Sequence, residues 1–407
     1  MHHGQTVFDA HVHYSLDLDP AAFVALLDAA GTEKANLAVI AHGDRVSCTP
    51  EALALKALYP ERFTVFGQLD PCLYYRGGAD MGARQAEYAA ALLRAGCDGI
   101  KLLEGKPQLR RALPVPDFDA DCWDAFWTWC ETQQVPVLWH VNDPENFWDP
   151  EKVPAWAAGQ GWLYDESYIN NEEQYRQVLT VLERHPGLRV CFAHFFFLSA
   201  QLGRLADILE RFPQVVTDLT PGIEMYENFS RTPEETRAFF ERFHDRILYG
   251  TDIGSRFVYH GGGRPFNEKE NLRRPEIVRA FLTNREDETV AADGNFVVGR
   301  PDFAMMGLGL EGERLGEILH KNFLRFAGEG ARPADPEAVL ALIRRTRREL
   351  VSAARLPGFV PDSRAWTRRN EFLHSFKGIR KEKYCKTPRT VLNFSFVLKC
   401  ISSSGEF

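Results

Sequence analysis

The stretch VFDAHVH (7–13) places two histidines one residue apart at the end of a short apolar run, and its reading decides the fold. In a β-strand the side chains at i and i+2 share a face. As a strand, the stretch projects His11 and His13 together, with Asp9 on that side too. Two neutral imidazoles so placed can share one metal ion. Taken alone, the stretch also fits an edge strand with two solvent-facing histidines, so the rest of the chain decides.

Working outward, short β-rich apolar runs recur along the chain. After TVFDAHVH (6–13) come ANLAVIAH (35–42), FTVFGQLD (63–70), DGIKLLEG (98–105), VPVLWHVN (135–142), LRVCFAHF (188–195), QVVTDLTP (214–221) and RILYGTD (246–252). Segments with helical apolar spacing separate them, at 20–31, 49–63, 83–96, 119–134, 171–187, 200–213 and 232–244. The first of these ends on Gly31, suited to a C-cap, and the second opens with Thr49 as a cap before Pro50. Strand and helix in alternation predict a parallel sheet with crossover helices. Eight strands so connected close most simply into an α/β (β/α)8 TIM barrel, with an open doubly wound sheet as the alternative.

Long loop insertions interrupt the repeat at 142–170 and 253–310, and loops of that length are usually lids or small subdomains. The barrel is assigned residues 1–330 and a C-terminal helical extension 331–364. Lysine occurs seven times in residues 1–364 but five times in 365–407, so that tail, SSSGEF included, is expected to lie outside the domain.

A net charge of −8 in 407 residues speaks against a nucleic-acid partner, which needs a concentrated basic surface. No window approaches eighteen uninterrupted apolar residues, so no membrane role is expected, and the first residues do not read as a signal peptide. Eight scattered cysteines without a C-x-x-C suit reduced thiols and a cytoplasmic location. CWDAFWTWC (122–130) reads first as a helix packed on the barrel and second as a homo-oligomer interface.

Reactive side chains in such barrels come from the C-terminal ends of strands. There the first strand offers His11 and His13, the fifth His140, the sixth His194 and the eighth Asp252. Only twelve histidines exist, and four fall at these positions. Each alone has a plain structural explanation, Asp252 as an N-cap for instance. As a set they predict a metal site.

The ordered motifs DAHVH, WHVND, FAHF and YGTD resemble the amidohydrolase superfamily of metal-dependent barrels, in its amidohydrolase-related branch. LGEILHKNFLRFAG (315–328) is similar to that branch's closing helix, I-x-x-x-N-x-x-R-x-F, at Ile318, Asn322 and Arg325. It departs at the last position, where Ala327 stands and the aromatic comes one residue early, at Phe326. The resemblance spans roughly residues 5–330. It implies that His11, His13 and His140 bind one divalent metal, zinc first and manganese or iron as alternatives, with Asp252 as fourth ligand or base. His194 would polarise or protonate the substrate.

Lys101 is the ambiguity. Carbamylated, it would bridge two metals and make His194 a ligand; as a plain cation it would bind an anionic substrate group. Its place a few residues before the strand's end looks deep for a bridging ligand, which favours one metal.

Weaker pocket candidates are Arg45, Gln68, Arg76, Asn142, Tyr164, Asp218, Thr220, Tyr226 and Arg256. Cations among them (Lys101, Arg45, Arg256) would suit a small, carboxylate-bearing substrate. The expected activity is hydrolysis of an amide, lactone or related bond. The alternatives are a non-oxidative decarboxylase or hydratase on the same ligands, or a non-catalytic metal-binding barrel.

Overall fold

A computed structural model describes residues 6–14, 19–40, 47–222, 224–254, 268–285, 290–291 and 304–359. The tail 365–407, and Arg45 and Arg256, lie outside the described residues. The strands are β1 (Phe8–His13), β2 (Lys34–Ala38), β3 (Phe63–Gln68), β4 (Gly99–Gly105), β5 (Val137–Val141), β6 (Val190–Phe192), β7 (Val215–Asp218), β8 (Ile247–Leu248) and β9 (Ile253–Gly254). All pair in parallel, in the order β8-β7-β6-β5-β4-β3-β2-β1-β9. An order that follows the chain, with both ends meeting at β1, makes a (β/α)8 barrel and excludes the doubly wound sheet.

The last strand differs from expectation. Only Ile247–Leu248 of RILYGTD forms a strand, β8, which pairs with β7, and β9 follows the run to pair with β1. Backbone bonds from Ala10 N–H to Tyr249 O (2.8 Å) and from Asp252 N–H to His11 O (2.9 Å) close the seam across the break. The break has a local cause: Asp252 adopts φ 57°. A Cβ on Gly250 would also come 2.6 Å from Thr220 Oγ1.

Inside the barrel, Phe8, Ala10, Ala38, Phe66, Leu138, Cys191, Ala193 and Leu248 form an apolar floor. Phe323 and Phe326 plug it from below, the Phe323 ring tilted against Phe8 at 4.4 Å between centroids. They belong to the closing segment, which runs as a π-helical turn (Glu317–Lys321) into the helix Asn322–Ala327. Asn322 Nδ2 donates to His244 O and Ile247 O, tying this plug to the start of β8. Alternate residues such as Val65, Ile100, Leu102, Val137, Trp139 and Phe192 face outward into the belt beneath the helices. This belt holds most of the buried apolar side chains, each contributing about 1.5–3 kcal/mol.

Helix starts follow capping chemistry. Asp19 accepts from Ala21 N–H and Ala22 N–H, Asn170 from Glu173 N–H, and Asp335 from Glu337 N–H. Thr49 is not the expected cap: it lies inside the helix Thr49–Leu58, and its hydroxyl bonds Ser47 and accepts from Gln68 N–H. The 142–170 insertion carries its own small core of Phe147, Ala157 and Tyr164. The 253–310 insertion contains a helix, Glu268–Thr283, and a two-stranded antiparallel ribbon. The helix Pro336–Ala353 places Val339, Leu342 and Ile343 in the barrel's outer core. Among the described residues, no helix is long and apolar enough to cross a membrane.

Candidate active site

Seven described non-glycine residues have positive φ, and six of them sit just past or at the C-terminal ends of strands: Asn142, His194, Phe195, Phe196, Phe197 and Asp252. Left-handed backbone costs roughly 1–2 kcal/mol per residue for an L side chain. Four such residues in a row persist only where the surroundings hold them. Here Asp218 Oδ1 accepts from His194 N–H at 2.8 Å and Tyr175 OH donates to Phe196 O at 3.0 Å. The Phe196 ring stacks 3.7 Å from that of Phe192. The turn brings the His194 ring to 4.9 Å from His140 and 5.6 Å from His11, centroid to centroid.

One ligand atom each from His11, His13 and Asp252 lie within 4.8 Å of one another. Their tautomers follow from their partners. His13 Nδ1 lies 2.6 Å from the Ala38 carbonyl, which can only accept, so Nδ1 carries a proton. Its Nε2 lies 2.9 Å from Asp252 Oδ1. His11 Nδ1 lies 2.9 Å from Asp218 Oδ2 and 3.1 Å from Thr220 Oγ1, which leaves the lone pair on Nε2. Burial lowers His11 to about 4, so it is neutral. Burial would raise Asp218, but His11, His194 and Thr220 together outweigh it and the carboxyl sits at about 2. Burial likewise opposes the charge on Asp252, but His13 and Arg274 hold it well below the usual carboxylate range.

Asp9 does not join this group. The register of β1 against β2 slips between Asp9 and Val12, so strict alternation does not run the length of the strand. Its carboxylate instead accepts from Thr251 Oγ1 (2.5 Å) and from the N–H groups of Thr251 and His11, which fixes the loop carrying Asp252.

His140 reaches the same cavity from β5 but stands outside the His11–His13–Asp252 group. Its Nε2 is buried without a well-formed hydrogen bond and stands 3.4 Å from Asp143 Oδ1. Burial lowers His140, and Asp143 opposes the shift. A buried imidazole nitrogen so placed can serve as a metal ligand. Burial pushes His194 well below its ordinary value too, and its Nδ1 lies 3.2 Å from Thr220 O. His194 therefore offers a lone pair on Nε2 rather than a proton.

Lys101 is fully buried, and its Nζ lies 3.2 Å from His11 Nε2. Burial lowers it to about 8, against the pull of Asp218 and Asp252. The position that looked too deep is offset by the length of the side chain, which carries the ammonium up to the histidines.

The other candidates separate cleanly. Asn142 is spent on the scaffold: its Oδ1 accepts from Gln174 Nε2 and its Nδ2 donates to Asn171 O. Arg76 pairs with Glu349 on the C-terminal helix, and Tyr226 OH donates to Leu219 O. Tyr164 OH donates to Asp143 Oδ2, which also takes the Lys106 ammonium at 2.6 Å and so pins the 142–170 insertion to the end of β5. Arg274 was not anticipated. Its Nη1 donates to Asp252 O at 2.8 Å and approaches Oδ2 at 3.3 Å. The helix that carries it was readable from Leu272, Val278, Phe281 and Leu282, but Pro275 within it argued against a helix. Glu224, in the loop after β7, was also not anticipated: both carboxylate oxygens are buried without a partner, and burial pushes it up to about 7.

A sequence profile of the amidohydrolase family matches residues 9–290. No curated protein sequence matches the chain. Among solved structures, similar chains include 5-carboxyvanillate decarboxylase from Sphingomonas paucimobilis (12% identity, TM-score 0.47, covering 79% of this chain and 99% of that one). Another is 2,6-dihydroxybenzoate decarboxylase from Rhizobium (16%, 0.46, 79% and 98%). A third is a probable 2-pyrone-4,6-dicarboxylic acid hydrolase from Acinetobacter baumannii (12%, 0.45, 79% and 99%).

Proposed function

This chain belongs to the amidohydrolase family, and on that premise we propose that it is a metal-dependent hydrolase cleaving an amide, lactone or related bond of a small, carboxylate-bearing substrate. One observation carries the reading: His11, His13 and Asp252 each offer a ligand atom, and these lie within 4.8 Å of one another, with His13 Nε2 2.9 Å from Asp252 Oδ1. Two imidazoles and a carboxylate so gathered suit one divalent cation. His11, His13 and Asp252 would hold one divalent ion, with His140 completing the set through its buried Nε2. Zinc suits imidazole and carboxylate donors, and manganese or iron are the alternatives.

When bound, the ion would supply a water of lowered pKa and a charge that polarises the substrate carbonyl. The chain's own residues would do the rest. Asp252, ionised and braced by Arg274, accepts a proton from water and returns it to the leaving group. Asp218 holds His11 in the tautomer that keeps Nε2 available. His194, with Nδ1 turned to Thr220 O, receives a hydrogen bond from substrate or water on Nε2. Lys101 supports an anionic substrate group, and Arg45 and Arg256 lie outside the described residues. Free thiols at Cys97, Cys130 and Cys191 suit the cytoplasm.

The test is elemental analysis of the purified protein beside His13→Ala, followed by turnover of lactone, amide and aromatic-acid panels. About one ion per chain, lost in the variant, with hydrolysis of a panel member, is the expected result. Release of carbon dioxide from an aromatic acid would replace hydrolysis with decarboxylation. No ion even after reloading would overturn the catalytic reading.

A further inference from the structure

His11 Nε2 has one lone pair, and in this structure Lys101 Nζ lies within hydrogen-bond distance of it, at 3.2 Å. Asp218 can only accept from the other ring nitrogen, so the ring cannot turn to serve two partners. An ammonium and a metal ion thus compete for a single pair of electrons. Whichever residue loses this contest is left buried with a full charge and no acceptor, unless something else in the cavity takes it.

The neighbour of Lys101 supplies the second half. Gln68, on β3, stands in register with Lys101 on β4. It shares a face with Phe66 of the barrel floor, whereas a Cβ on the intervening Gly67 would meet Cys97 and Leu92 of the outer belt. Gln68 therefore points into the barrel, one layer above the floor. It is 3% exposed, and its Oε1 has no partner. The other buried glutamines use their amides: Gln85 Nε2 donates to Asp70 O, Gln174 Nε2 to Asn142 Oδ1 and Gln177 Nε2 to Glu173 Oε1. Among the described residues, the Gln68 amide makes no hydrogen bond at all. A buried amide without partners calls for a bound water or a ligand.

We propose that Lys101 and Gln68 form an anion subsite that opens when a metal ion takes His11: the ammonium leaves Nε2 and, with the Gln68 amide N–H, binds a carboxylate oxygen of the substrate. This rests on the metal-dependent reading above and adds to it a residue, Gln68, and an order of events, metal before anion. It also gives Lys101 the role of competitor for the metal, opposite in sign to that of a carbamylated bridging ligand.

Zinc affinity and stoichiometry of the wild type, Lys101→Met and Gln68→Leu, measured by competition with a chromophoric chelator, read the first half without any substrate. Lys101→Met should bind zinc about tenfold tighter at an unchanged one ion per chain, because a competing cation beside the ligands is gone. Weaker binding, a second ion in the wild type, or an unchanged affinity would overturn the proposal. Benzoate is the probe for the second half, by calorimetry on zinc-loaded protein. Gln68→Leu removes no hydrogen bond, so it should melt no lower than the wild type while binding benzoate about tenfold more weakly. Unchanged benzoate affinity would remove Gln68 from the subsite even if Lys101 behaves as expected. Failure of every variant and the wild type to take up zinc would instead sink the metal-dependent function itself.

Discussion

The floor and the mouth of this barrel are built from the same strands, a few residues apart, and obey opposite rules. At the floor, Phe8, Phe66 and Leu138 meet Phe323 and Phe326 in an apolar cluster. At the mouth, the next inward positions are His11, Gln68, Lys101, His140 and Asp218, all buried and polar. Two of these, Gln68 and His140, have an atom with no hydrogen bond, and six left-handed residues lie at the same strand ends. Close packing stabilises a fold, whereas unpaired buried polar groups and strained backbone destabilise it. The floor therefore reads as the source of stability and the mouth as its expenditure on function.

A pair of substitutions tests that division most severely. Asp252→Asn removes a ligand-capable carboxylate and the proposed proton acceptor, and should lower kcat/KM by about 10²–10⁴ while leaving the melting temperature of metal-free protein within a few degrees. Phe323→Ala empties part of the plug and should cost about 3–5 kcal/mol in denaturant unfolding while the remaining folded protein keeps its zinc affinity. If Phe323→Ala weakened zinc binding as much as Asp252→Asn, floor and mouth would be one coupled unit and the contrast would fail.

How much of each region could be read from the sequence follows the same line. The outward belt and the inward floor repeat with period two, so the strands and their order were legible from runs such as VPVLWHVN. His140 was legible because it ends such a run, and its ring lies 4.9 Å from that of His194. The split of the last strand was not, because nothing in RILYGTD announces the positive φ at Asp252. Asp218 was named only as a weak candidate, since nothing in QVVTDLTP reveals that its carboxylate will meet His11 from the first strand. The reach of Lys101 was misjudged because strand position fixes a Cα, not the end of a long flexible side chain. Short-range pattern gives the frame; the pairings across the mouth are long-range and leave no local trace.

Glu224 sharpens the contrast through pH. Burial raises its folded pKa to about 7, above the 4.5 of an unperturbed glutamate. The folded state thus holds a proton that the unfolded chain gives up, so this contribution is present in full below about pH 4.5 and is lost as pH rises through 7. Glu224→Gln should therefore gain stability at pH 8, by up to about 3 kcal/mol, and gain little at pH 4. Urea unfolding at both pH values measures it. An equal effect at the two would mean that the carboxyl has a partner in solution and that the mouth is less costly than the structure implies.

The smallest change offers the finest test. Asp218 Oδ1 accepts from the N–H groups of His194 and Thr220, and Oδ2 receives His11 Nδ1–H. In Asp218→Asn the single carbonyl oxygen must stay with the two backbone donors, which turns the amide NH₂ toward His11 Nδ1. That nitrogen must then accept, the ring proton moves to Nε2, and the lone pair available to a metal is lost. One atom is exchanged and nothing is removed from the floor, so the unfolding free energy of metal-free protein should shift by no more than about 1 kcal/mol, while zinc affinity falls about 10–100-fold. If affinity held while stability dropped, Asp218 would be a scaffold residue for the left-handed turn, and the line between what stabilises this barrel and what equips it would have to be drawn above β7.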